Sequence, residues 1–166
     1  LAAIGVERTV LLTGDSEDIA RRTAVELGMS AWFGGLLPGD KVTHLERIMA
    51  AQPRGARTAF VGDGINDAPV LARSDVGIAM GRLGSDAAIE TADVVLTTDH
   101  PGKVAEAIRR GRATRSIVVQ NIVLALGVKA VFLGLGALGI ATMWEAVIAD
   151  MGVALVAILN ATRAMR

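Results

Sequence analysis

Up to about residue 115, short apolar runs alternate with stretches of helical periodicity. The apolar runs end in Gly or Asp turns, which is typical of strands in a parallel sheet, and they predict strands over 9–12, 58–61, 76–79 and 94–96. Helices are predicted over 16–27, with Ser16 as N-cap and Gly28 as the stop, and over 40–51. The alternation predicts an α/β fold with a mostly parallel sheet.

The last third of the chain has a different pattern. Residues 117–140 are apolar apart from Gln120, Asn121 and Lys129, and residues 143–159 are apolar apart from Glu145 and Asp150. A helix of about 20 apolar residues crosses a bilayer core, so transmembrane helices are predicted over about 116–140 and 143–161. The alternative, a buried hairpin of a large soluble protein, leaves too little chain to cover two such helices.

The charge distribution supports this division into two domains, 1–115 and 116–166. The chain has 17 Lys and Arg against 17 Asp and Glu, and only five of these 34 charged residues follow residue 115. Zero net charge gives no electrostatic case for nucleic-acid binding, and the absence of cysteine excludes a zinc knuckle and a disulfide scaffold. The chain starts in the middle of a strand-and-turn pattern without Met, so we expect a segment of a longer protein.

The basic residues also predict an orientation. Four arginines precede the first apolar helix and two follow the second, whereas the turn between the helices has none: Arg109, Arg110, Arg112 and Arg115, then Arg163 and Arg166. By the positive-inside rule both ends lie in the cytoplasm with the soluble portion.

Two predicted strand ends carry candidate chemistry. The first run leads into Thr13, Gly14 and Asp15, and the second leads into a segment of two glycines, two aspartates, an asparagine and a proline, 62–69. Ligands of parallel α/β sheets bind at the carboxyl ends of strands, so both clusters can face one crevice. Glycines let a phosphate approach the backbone, and two aspartates four residues apart can hold Mg²⁺. A Thr-Gly-Asp sequence alone is also typical of a turn, and a lone lysine such as Lys41 is usually solvated. The 62–69 segment, in contrast, is hard to explain as exposed polar residues without a function.

The apolar portion contains a charged pair that needs a reason. A charge in the bilayer core costs roughly 2.5–3.5 kcal/mol on the insertion scale. With the turn near residue 141, Lys129 and Asp150 differ in depth by roughly 4.5 Å, which a long lysine side chain can cover. They are predicted to pair, either as a structural salt bridge or with Asp150 as a cation ligand and Lys129 as its partner when the site is empty. Glu145 is expected to be solvated near the outer interface.

The soluble motifs resemble the phosphorylation domain of P-type ATPases, a branch of the haloacid-dehalogenase-like phosphotransferases. The resemblance implies a Rossmann-like α/β domain in which the Thr13, Gly14 and Asp15 motif contacts phosphoryl oxygens and Lys41 neutralises them. It implies Mg²⁺ bound by Asp63 and Asp67, with Asn66 completing the surroundings, and ATP bound mainly by a domain outside this sequence. The family's nucleophilic Asp, in an Asp-Lys-Thr-Gly motif, does not occur in this chain, so the chain alone is predicted to be inactive.

The two predicted membrane helices resemble one subgroup of the P-type ATPases. Asn121-Ile122, the segment 125–129 and the segment 149–152 look like the last two membrane helices of the zinc-, cadmium- and lead-exporting subgroup of heavy-metal P-type ATPases. The resemblance implies an ATP-driven exporter of a divalent heavy-metal ion, in the plasma membrane, with Asp150 at the transported cation and Lys129 as its counter-ion. The implied partners are the lipid bilayer and the nucleotide-binding domain, actuator domain and earlier membrane helices of the same pump.

Three alternatives stay open at this point. One is a P-type pump for another cation such as copper or potassium. The second is a soluble phosphatase of the same superfamily, against which the two apolar helices count. The third is a membrane adaptor without enzymatic activity, against which the retention of Lys41, Asp63 and Asp67 counts.

Overall fold

The computed structural model describes residues 1–62, 67–81, 90–98 and 100–165. They form two compact units, Leu1–Val104 and Ala105–Arg166. After a short 3₁₀ turn at Ala2–Ile4, strands and helices of the first unit follow in this order: β1 Val10–Leu12, α1 Glu17–Glu26, β2 Ala31–Phe33, α2 Pro38–Ala50, β3 Ala59–Gly62, α3 Ala68–Arg73, β4 Val76–Met80 and β5 Val94–Leu96.

Every strand pairing in the described part of the chain is parallel. β1 pairs with β2, and a three-stranded sheet has the order β3-β4-β5. The predicted α/β class is therefore confirmed, and all four predicted strands are present within a residue of their expected ends. The sequence did not predict β2 or α3.

The two predicted helices are present with ordinary start and stop signals. α1 begins after Ser16, with Glu17 in its first turn, and the chain leaves it through Gly28 at φ 64°, a conformation that favours glycine. α2 begins at Pro38, two residues earlier than expected, because proline is well suited to the first helical position. The Asp40 carboxylate accepts the Leu37 N–H at 3.0 Å, which satisfies one donor that the helix leaves open.

The apolar core of the first unit fixes α3 against the three-stranded sheet. Leu71 and Ala79 are almost fully buried, with Phe60 packed beside them. Gly77 lies so close to α3 that an added Cβ would be 2.9 Å from the Leu71 carbonyl oxygen. This tight packing sets the position of the residue that precedes α3, which is Asp67.

The second unit is a helical hairpin. α4 runs without interruption over Gly102–Ala137, and α5 covers Met143–Ala161, followed by a 3₁₀ turn at Thr162–Met165. Residues 109–120 continue as one helix into the apolar segment, and no proline interrupts them. The chain turns through Gly139 at φ 72°.

Both helices of the hairpin are long and apolar enough to cross a membrane. Their large hydrophobic side chains are mostly exposed within this chain, including Leu133, Leu138, Ile148 and Leu159. A soluble domain of this size rarely exposes so much contiguous apolar surface. The hairpin therefore needs lipid or further protein around it.

Candidate functional site

The carboxyl end of β1 leads into a tight polar turn. The Thr13 hydroxyl donates to Asp15 Oδ2 at 2.9 Å and accepts the Asp15 N–H at 3.1 Å. This hydroxyl can donate one hydrogen bond, so a phosphoryl oxygen at Thr13 would replace Asp15 as its acceptor. All three residues of the predicted Thr-Gly-Asp motif thus lie at the predicted sheet edge.

A neighbouring loop holds this turn in place. Leu36 N–H donates to the Thr13 carbonyl at 3.1 Å, and Gly35 N–H donates to the Asp15 carbonyl. The loop is itself fixed by Glu17, whose Oε2 accepts the Gly34 N–H at 2.9 Å. The sequence did not predict this contact, because the partner of Glu17 lies 17 residues away and no local pattern reveals it.

Lys41 follows from the same loop and reaches across to the next helix. It lies in the first turn of α2, and its Nζ is 2.7 Å from Asp67 Oδ1. The two side chains are only 16% and 11% exposed. The structure therefore brings together two of the predicted site residues from separate elements.

The Lys41–Asp67 ion pair contributes little net stability, because removing both charges from water offsets much of their attraction. At 2.7 Å the Coulomb attraction is about 6 kcal/mol at an effective dielectric constant of 20, and desolvation of two largely buried charges offsets much of it. Asp67 also occupies the N-cap position of α3, yet within the described residues its carboxylate makes no cap hydrogen bond to that helix. The Asp67 carboxylate does not cap α3, as an aspartate at this position usually would, and contacts Lys41 instead.

Gly62, the last residue of β3, lies directly beneath the Asp67 carboxylate. A Cβ added at residue 62 would be 2.8 Å from Asp67 Oδ2 and 3.0 Å from Phe60 Cε1. Glycine at this position is therefore what allows the carboxylate to reach Lys41. Asp63, Gly64 and Asn66, also predicted at this end of the strand, lie outside the described residues.

Asp75 forms a second carboxylate cluster, partly buried, at the opposite edge of the sheet. Its Oδ2 accepts the Thr58 N–H at 2.8 Å, and Arg57 Nη1 is 3.0 Å from its Oδ1. The Thr58 N–H bond, followed by the Arg57 and Gln52 contacts, lowers the pKa of Asp75. Because Thr58 and Asp75 precede their strands, this cluster ties amino ends together and is structural.

The hairpin contains the predicted charged pair. Lys129 Nζ and Asp150 Oδ1 are 3.5 Å apart, so the pairing expected from their depths is present. The side chains are 68% and 66% exposed, which means that the hairpin alone does not shield them. Charges at this depth are stable only beside further protein or in a water-filled cavity.

An amide cluster joins the helices further along and was not predicted. Asn121 Nδ2 donates to the Ala157 carbonyl at 3.1 Å, and Asn160 Nδ2 donates to Asn121 Oδ1 at 2.9 Å. Arg163 Nη1 donates to Asn160 Oδ1 at 3.0 Å. Asparagine inside an apolar helical stretch was the available signal, since such amides need partners in a membrane.

The described part of the chain contains no complete metal site built from its own side chains. No group of three or more His, Cys, Asp or Glu side chains converges there. Asp67 supplies hard carboxylate oxygens of the kind that Mg²⁺ prefers, and the absence of a Cβ at Gly62 leaves those oxygens in their place. The residues present therefore fit a Mg²⁺ ion that takes its other ligands from elsewhere.

Comparison with known proteins gives concordant matches. Residues 1–75 match a family model described as haloacid dehalogenase-like hydrolase. The chain is 66% identical over 164 residues to a zinc-transporting ATPase of Synechocystis sp., covering 98% of this chain and 22% of that protein. It is 56% identical over 166 residues to a cadmium, zinc and cobalt-transporting ATPase of Bacillus subtilis, covering 100% and 24%.

A solved structure extends the match to the hairpin. A zinc-transporting PIB-type ATPase in an E2.Pi state superposes with a TM-score of 0.85 at 43% identity, covering 95% of this chain and 25% of that one. The chain thus spans about a quarter or less of the length of the proteins it matches.

Proposed function

The chain belongs to the heavy-metal-transporting P-type ATPases, and from this we propose that it supplies the phosphoryl-handling half-domain and last two membrane helices of an ATP-driven exporter of Zn²⁺, Cd²⁺ or Pb²⁺. The observation that carries the proposal is the Lys41–Asp67 pair, in which a partly buried ammonium group contacts a buried carboxylate at the carboxyl edge of a parallel sheet. P-type ATPases use ATP and Mg²⁺ generally, and both are expected of the complete pump.

The soluble residues have separate roles in the proposal. The Gly14 N–H and the Thr13 hydroxyl donate to phosphoryl oxygens, and Asp15 holds the Thr13 hydroxyl until then. Lys41 places a fixed positive charge against the same oxygens. Asp67 and Asp63 would hold Mg²⁺, with Asn66 beside them; when bound, the ion supplies charge neutralisation for phosphoryl transfer. Asp67 keeps Lys41 aimed at the site while no phosphoryl group is present.

In the membrane, we assign Asp150 to the transported cation. A carboxylate oxygen suits a divalent ion that accepts mixed ligands, and the ligands from earlier helices would complete its coordination. Lys129 neutralises Asp150 when the ion has left, and the 3.5 Å contact between the two side chains supports this role. Asp150 and Lys129 would then alternate between an ion-bound and a self-paired arrangement. The soluble half-domain and both hairpin ends are placed in the cytoplasm.

The test is Lys41→Met in the complete pump that carries this chain, obtained for instance by exchanging the matching segment of the Synechocystis relative. We expect phosphoenzyme formation from ATP to fall by at least about tenfold, because electrostatic stabilisation by one positioned charge contributes at least that factor. Lys103→Met is the matched control, since Lys103 is an exposed lysine in the first turn of α4. Equal phosphoenzyme levels in both variants would overturn the assignment of Lys41.

A further inference from the structure

One face of α4 combines a basic end with an apolar groove. The groove has a volume of about 560 Å³ and is lined by Arg112, Arg115 and Ser116 at one end and by Val119, Gln120, Val123 and Leu124 further along. Arg112, Arg115, Val119 and Val123 recur at intervals of three or four residues, so these four share one side of the helix, and Leu124 lies about 100° around the helix from Val123. We propose that this groove binds one anionic phospholipid of the cytoplasmic leaflet, with the phosphate on the two arginines and an acyl chain along the apolar residues.

The dimensions of the groove suit a lipid of one leaflet. Arg115 and Val123 are eight residues apart, which is about 12 Å along the helix. Half of a hydrocarbon core is about 15 Å thick. Arg115 also lies two residues before the apolar stretch begins, so its guanidinium is at headgroup level when the stretch lies in the core.

A second, purely apolar groove continues the first toward the other leaflet. It has a volume of about 350 Å³, shares Val123 and Leu124 with the first groove and extends to Phe132. No charged residue lines it. The basic end is therefore confined to the side where the phospholipid headgroups of the cytoplasmic leaflet lie.

Charge complementarity favours an anionic lipid over another helix of the pump. A guanidinium binds two phosphate oxygens at once, and basic clusters immediately cytoplasmic of a membrane helix attract anionic lipids. An apolar helix on the same face would exclude water from the guanidiniums without adding a negative charge. A phospholipid supplies both the negative charge and the apolar surface in one molecule.

The same helix offers a matched control residue. Arg110 is exposed and belongs to the same arginine cluster, but it does not line the groove. Its Nη2 is 2.9 Å from Glu106 Oε1. Removing its charge changes the net charge of the segment as much as removing Arg112 or Arg115 does.

The inference rests on the proposed placement of the hairpin in a membrane. The experiment uses the complete pump in nanodiscs of phosphatidylcholine with or without phosphatidylglycerol, and measures the retained phosphatidylglycerol by native mass spectrometry. We expect one retained molecule in the unsubstituted pump. The preference over phosphatidylcholine should fall about tenfold for each of Arg112→Gln and Arg115→Gln, the factor equivalent to the ~1.5 kcal/mol of one hydrogen bond to a charged group.

Two further measurements separate a specific lipid site from attraction by net charge and from binding of the phosphate alone. Arg110→Gln should retain the lipid like the unsubstituted pump; an equal loss in this variant would show that net charge alone is responsible and would overturn the site. Glycerol phosphate, which has the headgroup phosphate without acyl chains, should not displace the lipid; displacement would overturn the role of the apolar groove. No retained phosphatidylglycerol in the unsubstituted pump would show that another helix covers this face.

The proposed function is scored separately by phosphoenzyme formation from ATP. A pump that forms phosphoenzyme but retains no phosphatidylglycerol refutes the lipid site alone. A preparation that retains the lipid but forms no phosphoenzyme refutes the proposed function alone.

Discussion

Replacing Gly62 by alanine tests whether the Asp67 carboxylate must lie where the structure places it. The new Cβ would be 2.8 Å from Asp67 Oδ2, whereas a close carbon–oxygen contact is about 3.3–3.6 Å. The carboxylate would have to retreat by about 0.5–0.8 Å to restore that contact. Taken up along the ion pair, this shift lengthens the 2.7 Å contact with Lys41 to about 3.2–3.5 Å, outside the usual range of a charge-assisted hydrogen bond.

The expected effect on activity is much larger than the effect on stability. A misplacement of about 1 Å at a reacting site can cost 100-fold in rate, so phosphoenzyme formation from ATP should fall by about 10–100-fold. The free energy of unfolding should fall by only about 0.5–1.5 kcal/mol, because the atom that yields is the end of a side chain that can leave its preferred rotamer.

The assay compares Gly62→Ala with Gly39→Ala in the complete pump. Gly39 lies in the first turn of α2, two residues before Lys41, and an added Cβ there meets nothing within 4 Å. The control should keep normal phosphoenzyme levels and at least normal stability, since alanine favours helix formation over glycine. Phosphoenzyme formation in Gly62→Ala that equals the Gly39→Ala level would refute the claim that the position of the Asp67 carboxylate matters.

Three further predictions concern the loop, the sheet and the membrane pair. Glu17→Ala should speed hydrogen exchange of the Gly34 amide about fivefold, as expected for a lost hydrogen bond of ~1 kcal/mol, and Glu17→Gln should restore part of the protection; unchanged exchange in the alanine variant would contradict the loop assignment. The lowered pKa of Asp75 means that its bond to Thr58 stabilises the fold above pH ~4, and this stabilisation is lost as the pH falls through the lowered value. Protection of the Thr58 amide from hydrogen exchange should therefore drop with acid in the unsubstituted protein but not in Asp75→Asn. A parallel drop in both proteins would contradict the assignment. Asp150→Ala should abolish zinc-stimulated ATP turnover yet leave phosphoenzyme formation from inorganic phosphate intact, whereas full zinc stimulation would show that Asp150 is only structural.

The sequence predicted the elements whose ends carry strong signals. β3 and β5 are apolar runs with clear ends, and α1 has a serine cap and a glycine stop. β2 escaped prediction because Ala31–Phe33 is a short run without a β-branched residue, whereas the equally short β5 contains two valines. α3 escaped because Ala68–Arg73 is under two turns long and begins within a motif that was interpreted for its chemistry.

The sequence identified most of the candidate site residues, but it predicted few of the contacts between them. The Lys129–Asp150 pairing followed from helix geometry, because depth along two antiparallel helices can be counted from the turn. The direct contact of Lys41 with Asp67 could not be counted in that way, since it depends on how α2 and α3 pack over the sheet. The same is true of Glu17 and Gly34, whose approach is set by the packing of α1 against the loop.

The amide cluster of the hairpin has a consequence for how its helices can move. Asn121 and Lys129 are about 12 Å apart along α4, and their partners Ala157 and Asp150 are about 10.5 Å apart along α5. Sliding one helix by a single residue would change the relative height by about 1.5 Å and misalign both attachments at once. While Lys129 and Asp150 are paired, the two attachments at different depths would therefore make the hairpin move as one rigid piece. When a cation takes Asp150, only the amide cluster still opposes sliding.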